Sequence, residues 1–365
     1  MDDLPRRRRR SRQKLTAISL NEVAAYAEVS TATVSRVLNN SATVSKDVRR
    51  KVEQACQELG YVPNGAARAL SSNRTMTIGA VVPTIENSGF ALTVSSLQRQ
   101  LNKAGYTLLL ASSDYEPDAE LRETRMLLMR GVDGIVLVGS DHHPQLLSLI
   151  EQHTVPFVET WTLAPGRPSV GFDNAAAAYE LTEHIVSLGH TRIGLIAGRT
   201  SSNDRSSARE AGIRACLKAH GLALASEWFI ERPYRILDGR QAMRLLIQKP
   251  DRPTAVICGN DQMAFGALIE ASHQGFVVPD DISVAGFNDL EYAAHLNPPL
   301  TTIRVPAEEI GAEAARLLMA QIANNTLVNS GVNIPFSLVA RASTGKPPAK
   351  IRTLPNTKMA LSSKK

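Results

Sequence analysis

Thr31, Ala32, Thr33, Ser35 and Arg36 carry the clearest chemistry in the chain: all are hydroxyl-bearing, small or basic, and helical spacing puts them on one outward face. Hydroxyls and a guanidinium so displayed reach base edges and phosphates in a DNA major groove. The plainer alternative is a helical hairpin with a solvated face. Trp161, just past the run VPFVET, offers a different chemistry. An indole there either stacks on the apolar face of a sugar ring or fills a core, and Phe90, in the loop after an earlier apolar run, is placed similarly. Machinery for covalent catalysis is missing from the pattern: there is no G-x-S-x-G elbow, P-loop, metal-ligand cluster or G-x-G-x-x-G turn. Neither an enzyme nor a cofactor-dependent protein is expected.

Two helical patterns must hold that first face. Leu20, Val23, Ala24 and Ala27 recur at i, i+3, i+4, i+7, and Ser30 can cap a second helix from about Thr31 to Leu38 that buries Val34, Val37 and Leu38. Ala24 is small where the two helices cross, and Val29 fills the corner. A third pattern opens at Ser45, keeps Val48, Val52, Ala55 and Leu59 in phase, and stops at Gly60. The run YVPNGAARAL follows, Tyr61 to Leu70.

This succession of helix-turn-helix, third helix and Y-x-P-N-x-x-A-x-x-L closely resembles the lactose/galactose-repressor (LacI/GalR) family of bacterial transcription regulators. The resemblance implies base contacts from Thr31, Ala32 and Arg36, with Ser30 and Asn39 against phosphates. Arg36 is the strongest candidate, because a guanidinium grips a guanine edge with two hydrogen bonds. Glu28 departs from the motif, which often has Gly at that turn; a side chain at positive φ costs about 1–2 kcal/mol. The turn is expected to persist with Glu28 pointing away from the duplex. In the resembling family, Pro63 to about Leu70 is a hinge helix that orders only when paired with its dimer mate on DNA. Asn64, Ala67 and Leu70 then lie at DNA, Leu70 either wedging the minor groove of a palindromic operator or serving as an ordinary linker residue.

Charge divides the 365-residue chain. Lys and Arg exceed Asp and Glu by seven in residues 1–74, the acids lead by seven in 75–345, and the last twenty residues hold six bases and no acid. A basic head on a mildly acidic body fits a nucleic-acid reader that carries a small-molecule domain. Residues 1–17 are expected to be a disordered arm, its arginines either tracking phosphates or merely solubilising the chain. Cys56, Cys216 and Cys258 lack CxxC or metal-ligand spacing and read as core residues in a reducing compartment. No apolar run is long enough to span a membrane, and none of signal-peptide length follows Arg6–Arg10. A cytoplasmic protein is expected.

From Met76 the pattern changes. Apolar runs at 77–83, 106–112, 134–139 and 155–159 alternate with helical stretches near 91–104, 117–130 and 144–152. A second set has runs at 169–173, 192–198, 255–259 and 282–287, with helices near 175–188, 205–219, 239–248 and 261–274. The alternation predicts two open parallel-sheet α/β lobes with a cleft at the carboxyl ends of the strands. SLGHTRIGLIAG, GNDQMAFGAL, VPDDISVAGFND and NPPLTTIR resemble the sugar-binding-protein-like (periplasmic-binding-protein-like) core of the same repressors. The expected organisation is a helix-turn-helix head at 18–62, hinge and linker at 63–75, effector and dimerisation body at 76–345, and basic tail at 346–365. Lobe crossovers are expected near Phe172, Thr301 and Gly331. The helix from about Pro306 to Ala323 completes the body; the tail lacks heptad leucines, so a homodimer is expected rather than a tetramer.

The resemblance also places effector residues. Arg209, three residues before Gly212, matches the family's effector-gripping arginine; its alternative is a surface ion pair. Asp173, Asn260 and Asp261 fall on family positions near the pocket, although Asn260 and Asp261 can instead cap the following helix. Asn288 stands where the family commonly has Asp. One charge fewer there, with Arg199, Arg205 and Arg209 opposite, favours an anionic ligand such as a sugar acid, unless Asp204 and Glu210 neutralise those arginines. VPFVETW and VGFDN look like the gluconate-repressor branch and point the same way. The reading is a homodimeric DNA-binding regulator, most often a repressor, controlled by a carbohydrate or sugar-acid effector. The rival is a solute-binding protein for sugar uptake, which the body alone would suit.

Overall fold

Ser19 and Glu22 start the first helix by capping each other. The Ser19 amide donates to Glu22 Oε2 (2.6 Å), and the Glu22 amide donates back to Ser19 Oγ (3.4 Å). The computed structural model describes residues 18–38, 43–62, 74–324, 326 and 330–350, which form two separate units joined at Thr75–Met76.

The first unit is helical: α1 (Leu20–Tyr26), α2 (Thr31–Leu38) and α3 (Lys46–Leu59). Ser30 Oγ accepts from the Thr33 amide (3.1 Å), and α3 ends on Gly60 in the left-handed conformation (φ 63°) that its Cβ-free backbone adopts without strain. Val23, Ala24, Ala27, Val34, Val37, Val52 and Ala55 form the core, with Val29 half-buried at the corner. Glu28 takes φ 54° and is exposed, so the turn persists without glycine.

The second unit contains two six-stranded sheets. The first lobe uses β1 (Thr77–Val82), β2 (Thr107–Ser112), β3 (Gly134–Val138), β4 (Phe157–Thr160) and β5 (Ser169–Gly171). The second uses β6 (Ile193–Ala197), β7 (Phe229–Glu231), β8 (Ala255–Cys258), β9 (Ser283–Asn288) and β10 (Thr301–Arg304). β11 (Gly331–Asn333) and β12 (Ser337–Val339) add one edge strand to each, giving the orders β11-β5-β4-β3-β1-β2 and β12-β10-β9-β8-β6-β7. Every pairing is parallel except β10 with β12. The central strands β3, β6 and β8 are buried throughout, as their unbroken apolar runs require. The chain passes between lobes after Gly171, after Arg304 and after Asn333.

Helices cover the sheets: α4 (Ser88–Lys103), α5 (Pro117–Met129) and α6 (Leu146–Gln152) in the first lobe, α7 (Asn174–Ser187), α8 (Asp204–Ala219), α9 (Ile236–Ile247) and α10 (Asp261–His273) in the second. α11 (Ala307–Asn324) returns to the first lobe beside α4. Two helices begin earlier than their apolar periodicity: α4 because Asn87 caps it, and α9 because its first turn is exposed at Ile236 and Leu237. α7 and α8 pack unusually close at Gly212, where a Cβ would strike the Ala175 carbonyl oxygen. None of the described helices is long and apolar enough to cross a membrane.

Candidate nucleic-acid interface and ligand cleft

α2 sets its outward face by burying Val34 and Val37. Thr31, Ala32 and Arg36 are exposed, whereas Thr33 and Ser35 are half-buried. The Ser30 and Thr33 hydroxyls bond each other (2.9 Å), so this pair is partly engaged within the helix start. Arg36 makes no ion pair among the described residues. Asn39, Asn64, Ala67 and Leu70, with the 1–17 arm and residues 351–365, lie outside the described residues.

In the second unit, side chains converge at the carboxyl ends of the strands, where loops from both lobes meet. Phe90, Trp161, Arg205, Arg209, Asn260 and Asn288 line one inner chamber of about 20 Å³. Asn87, Tyr115, Asn203 and Tyr234, which the sequence reading did not single out, line it too. These four also border an outer chamber of about 590 Å³, roomy enough for a sugar-sized ligand. Tyr115 comes from the first lobe and Tyr234 from the second; their rings lie 6.1 Å apart between the chambers.

Trp161 is both core and lining. It sits at φ 69°, is 2% exposed, stacks edge-on to Phe90 at 5.0 Å and donates from Nε1 to Thr93 Oγ1 (3.1 Å). Arg209 enters from the first turns of α8. Its Nε donates to Asn174 Oδ1 (2.9 Å), its Nη1 to the Gly259 carbonyl (2.9 Å), and its guanidinium lies 3.8 Å over the Phe287 ring. Burial lowers its pKa to about 10, which still leaves it a cation at neutral pH. No carboxylate forms an ion pair with it among the described residues.

Three more arginines of the region have carboxylate partners, whereas Arg232 and Arg235, which line the outer chamber, form no ion pair among the described residues. Arg205 pairs with Asp204 (2.6 Å), Arg199 approaches Glu116 of the first lobe (3.7 Å), and Glu210 is taken by Arg214 (2.7 Å). Burial works to raise the Asp204 pKa, but Arg205 and the donors of Ser140 outweigh it and hold the carboxyl low. Two amide atoms of the inner chamber's lining are buried without a hydrogen-bond partner among the described residues, Asn260 Nδ2 and Asn288 Oδ1. Asn260 Oδ1 meanwhile caps α10 through the Met263 amide (2.9 Å), so that residue both lines the chamber and caps the helix.

Two expected pocket residues lie elsewhere. Asp173 is exposed and caps α7, accepting from the Ala176 amide (2.9 Å). A capping side chain must turn back on its own helix, so the next residue, Asn174, reaches Arg209 instead. Asp261 is fully buried, accepting from the Leu290 amide (2.7 Å) and the Thr302 hydroxyl (2.6 Å), and burial pushes its pKa to about 6. It braces β9 and β10 beneath the cleft.

Residues 19–64 match the lacI family of bacterial regulatory proteins, and residues 182–344 match a periplasmic binding protein-like domain. The repressor CytR of Escherichia coli (strain K12) is 33% identical over 338 residues, covering 92% of this chain and 98% of that protein. The repressor PurR of Aliivibrio salmonicida is 32% identical over 309 residues, covering 83% and 92%. Among solved structures, the lac repressor dimer bound to operator and the anti-inducer ONPF aligns with a TM-score of 0.80 at 29% identity, over 90% of this chain and 100% of that one. The transcription regulator GntR from Chromobacterium violaceum aligns with a TM-score of 0.69 at 32% identity, over 73% and 99%. The chain belongs to the lacI family of bacterial regulatory proteins, joining that family's helical head to a periplasmic-binding-protein-like body.

Proposed function

We propose that this protein is a dimeric, cytoplasmic transcriptional repressor that reads a palindromic operator through α2 and releases or grips it according to a small ligand in the cleft. Thr31, Ala32 and Arg36 are the base readers; the hinge contacts Asn64, Ala67 and Leu70 transmit the state of the body to DNA. The ligand is a hydroxylated anion, with a sugar acid as the first candidate. One observation carries that choice: Arg209 is a buried cation that forms no ion pair with a carboxylate among the described residues, beside the unpartnered amide atoms of Asn260 and Asn288. A ligand carboxylate supplies the missing charge in a planar paired contact. Its hydroxyls satisfy the amides, and Phe90 and Trp161 offer an aromatic wall.

Since the inner chamber is small, the ligand enters through the outer one and the Tyr115–Tyr234 pair rearranges around it. A gel shift with duplex from the gene's own upstream region, run with sugars and sugar acids, tests the reading. Specific retardation that a sugar acid changes is expected. Ligand binding with no preference among duplexes contradicts it and favours a solute-binding protein.

A further inference from the structure

On the second lobe, away from the cleft, Cys216 and His220 stand four residues apart at the end of α8, which places them on one face. Glu183, near the end of the neighbouring α7, meets both. His220 Nε2 lies 2.7 Å and Cys216 Sγ 3.5 Å from the same carboxylate oxygen, Glu183 Oε2, and all three donor atoms fall within 4.8 Å of one another. The imidazole meets the carboxylate as a surface pair and the thiol donates to the same oxygen, so three different ligand types converge on one point.

We propose that Glu183, Cys216 and His220 form a three-residue site for a thiophilic divalent cation of the zinc type, with a fourth position open to water. The donor set is right for such an ion, which takes thiolate, imidazole and carboxylate together in a tetrahedron. With metal–ligand bonds of about 2.3 Å to sulfur and about 2.0 Å to nitrogen and oxygen, a tetrahedral ion separates S from O by about 3.5 Å and N from O by about 3.3 Å. The sulfur–oxygen distance already fits. The imidazole must withdraw by about 0.6 Å; it caps the end of the helix and is 37% exposed, so it has room. The cation replaces the two protons now shared with the carboxylate: the thiol proton leaves to solvent, and the Nε2 proton leaves with it or moves to Nδ1, so the imidazole ligates as the neutral ring.

The site joins α7 to α8 at the ends opposite Asn174 and Arg209. A bound ion therefore staples the two helices that deliver the cleft's buried cation.

The test uses the full-length protein, reduced, with Co²⁺ as a spectroscopic probe and Zn²⁺ as competitor. One equivalent of Co²⁺ is expected to give a thiolate charge-transfer band that Zn²⁺ removes. Cys216→Ser should abolish the band. His220→Ala, a partly exposed position that leaves the fold intact, and Glu183→Gln should each weaken binding at least about tenfold, since even outer-shell changes cost that much. Absence of a thiolate band, or a band of unchanged affinity in His220→Ala and Glu183→Gln, overturns the proposal.

Discussion

Asp204 of the second lobe holds Ser140 of the first: its Oδ2 accepts from both the Ser140 amide (2.9 Å) and the Ser140 hydroxyl (2.8 Å). Its Oδ1 meanwhile pairs with Arg205, whose guanidinium presses against Gly139, a position where any Cβ would collide with it. Loop and helix start thus form a latch across the cleft. Asp204→Ala should open it. The readout is hydrogen exchange at the Ser140 amide in the ligand-free protein. Losing a hydrogen bond to a charged group, about 1.5–3 kcal/mol, predicts exchange about 10–150 times faster. Exchange at the wild-type rate would show that the latch does not hold the lobes.

Arg209→Lys keeps the charge and loses the fork. A lysine cannot satisfy Asn174 and Gly259 while presenting a planar pair of donors to a ligand. Calorimetry with a sugar acid that raises the melting temperature of the wild type should show affinity reduced by at least about tenfold, or about 1.4 kcal/mol. Retained affinity would mean that charge alone suffices there.

On the DNA side, Arg36→Ala should cost about 1–3 kcal/mol of operator affinity and relax base choice at one position of each half-site. Competition binding against a set of singly substituted operators measures both. A uniform loss with unchanged preference would reassign Arg36 to the phosphates.

His142 makes the body sensitive to alkali. It is buried between Glu120 (2.9 Å) and Glu159 (3.3 Å), and Arg167 links Glu159 to the Ser140 carbonyl. Burial works against the imidazolium, but the two carboxylates prevail and raise its pKa to about 9 from an ordinary 6.5. Because the folded value lies above the unfolded one, the stabilisation is complete below about pH 6.5 and disappears as the pH rises through about 9. Urea denaturation between pH 6 and 10 should show this decline in the wild type and a flatter profile in His142→Gln. Parallel profiles would leave the imidazolium without a role in stability.

The reading head was legible because its signals are local. Ser30 and Ser45 cap where helix-capping chemistry predicts, and only Glu28, at φ 54°, contradicts local preference. The lobes were legible because buried parallel strands are unbroken apolar runs. The edge strands β7, β11 and β12 are only three residues each, too short for any periodicity. Of the chamber's lining, Trp161, just past β4, could be found from position, and Arg209 from resemblance to the family. Tyr115 and Tyr234 could not, since they stand in loops whose partner is on the opposite lobe. Asp173 shows the limit of resemblance: its carboxylate is used by the cap, and its neighbour Asn174 is the residue that bonds Arg209. Cys216 reads from sequence as a core residue, because Glu183 joins it and His220 only when two helices separated by a strand pack side by side.

In the proposed mechanism, ligand in the cleft controls DNA binding. Fluorescence anisotropy of a labelled operator duplex, titrated with the full-length protein at fixed salt with and without saturating sugar acid, tests it most directly. Ligand is expected to change operator affinity by about 5–150-fold, the usual range for 1–3 kcal/mol of coupling. Identical titration curves with and without a ligand that calorimetry shows to be bound would contradict it.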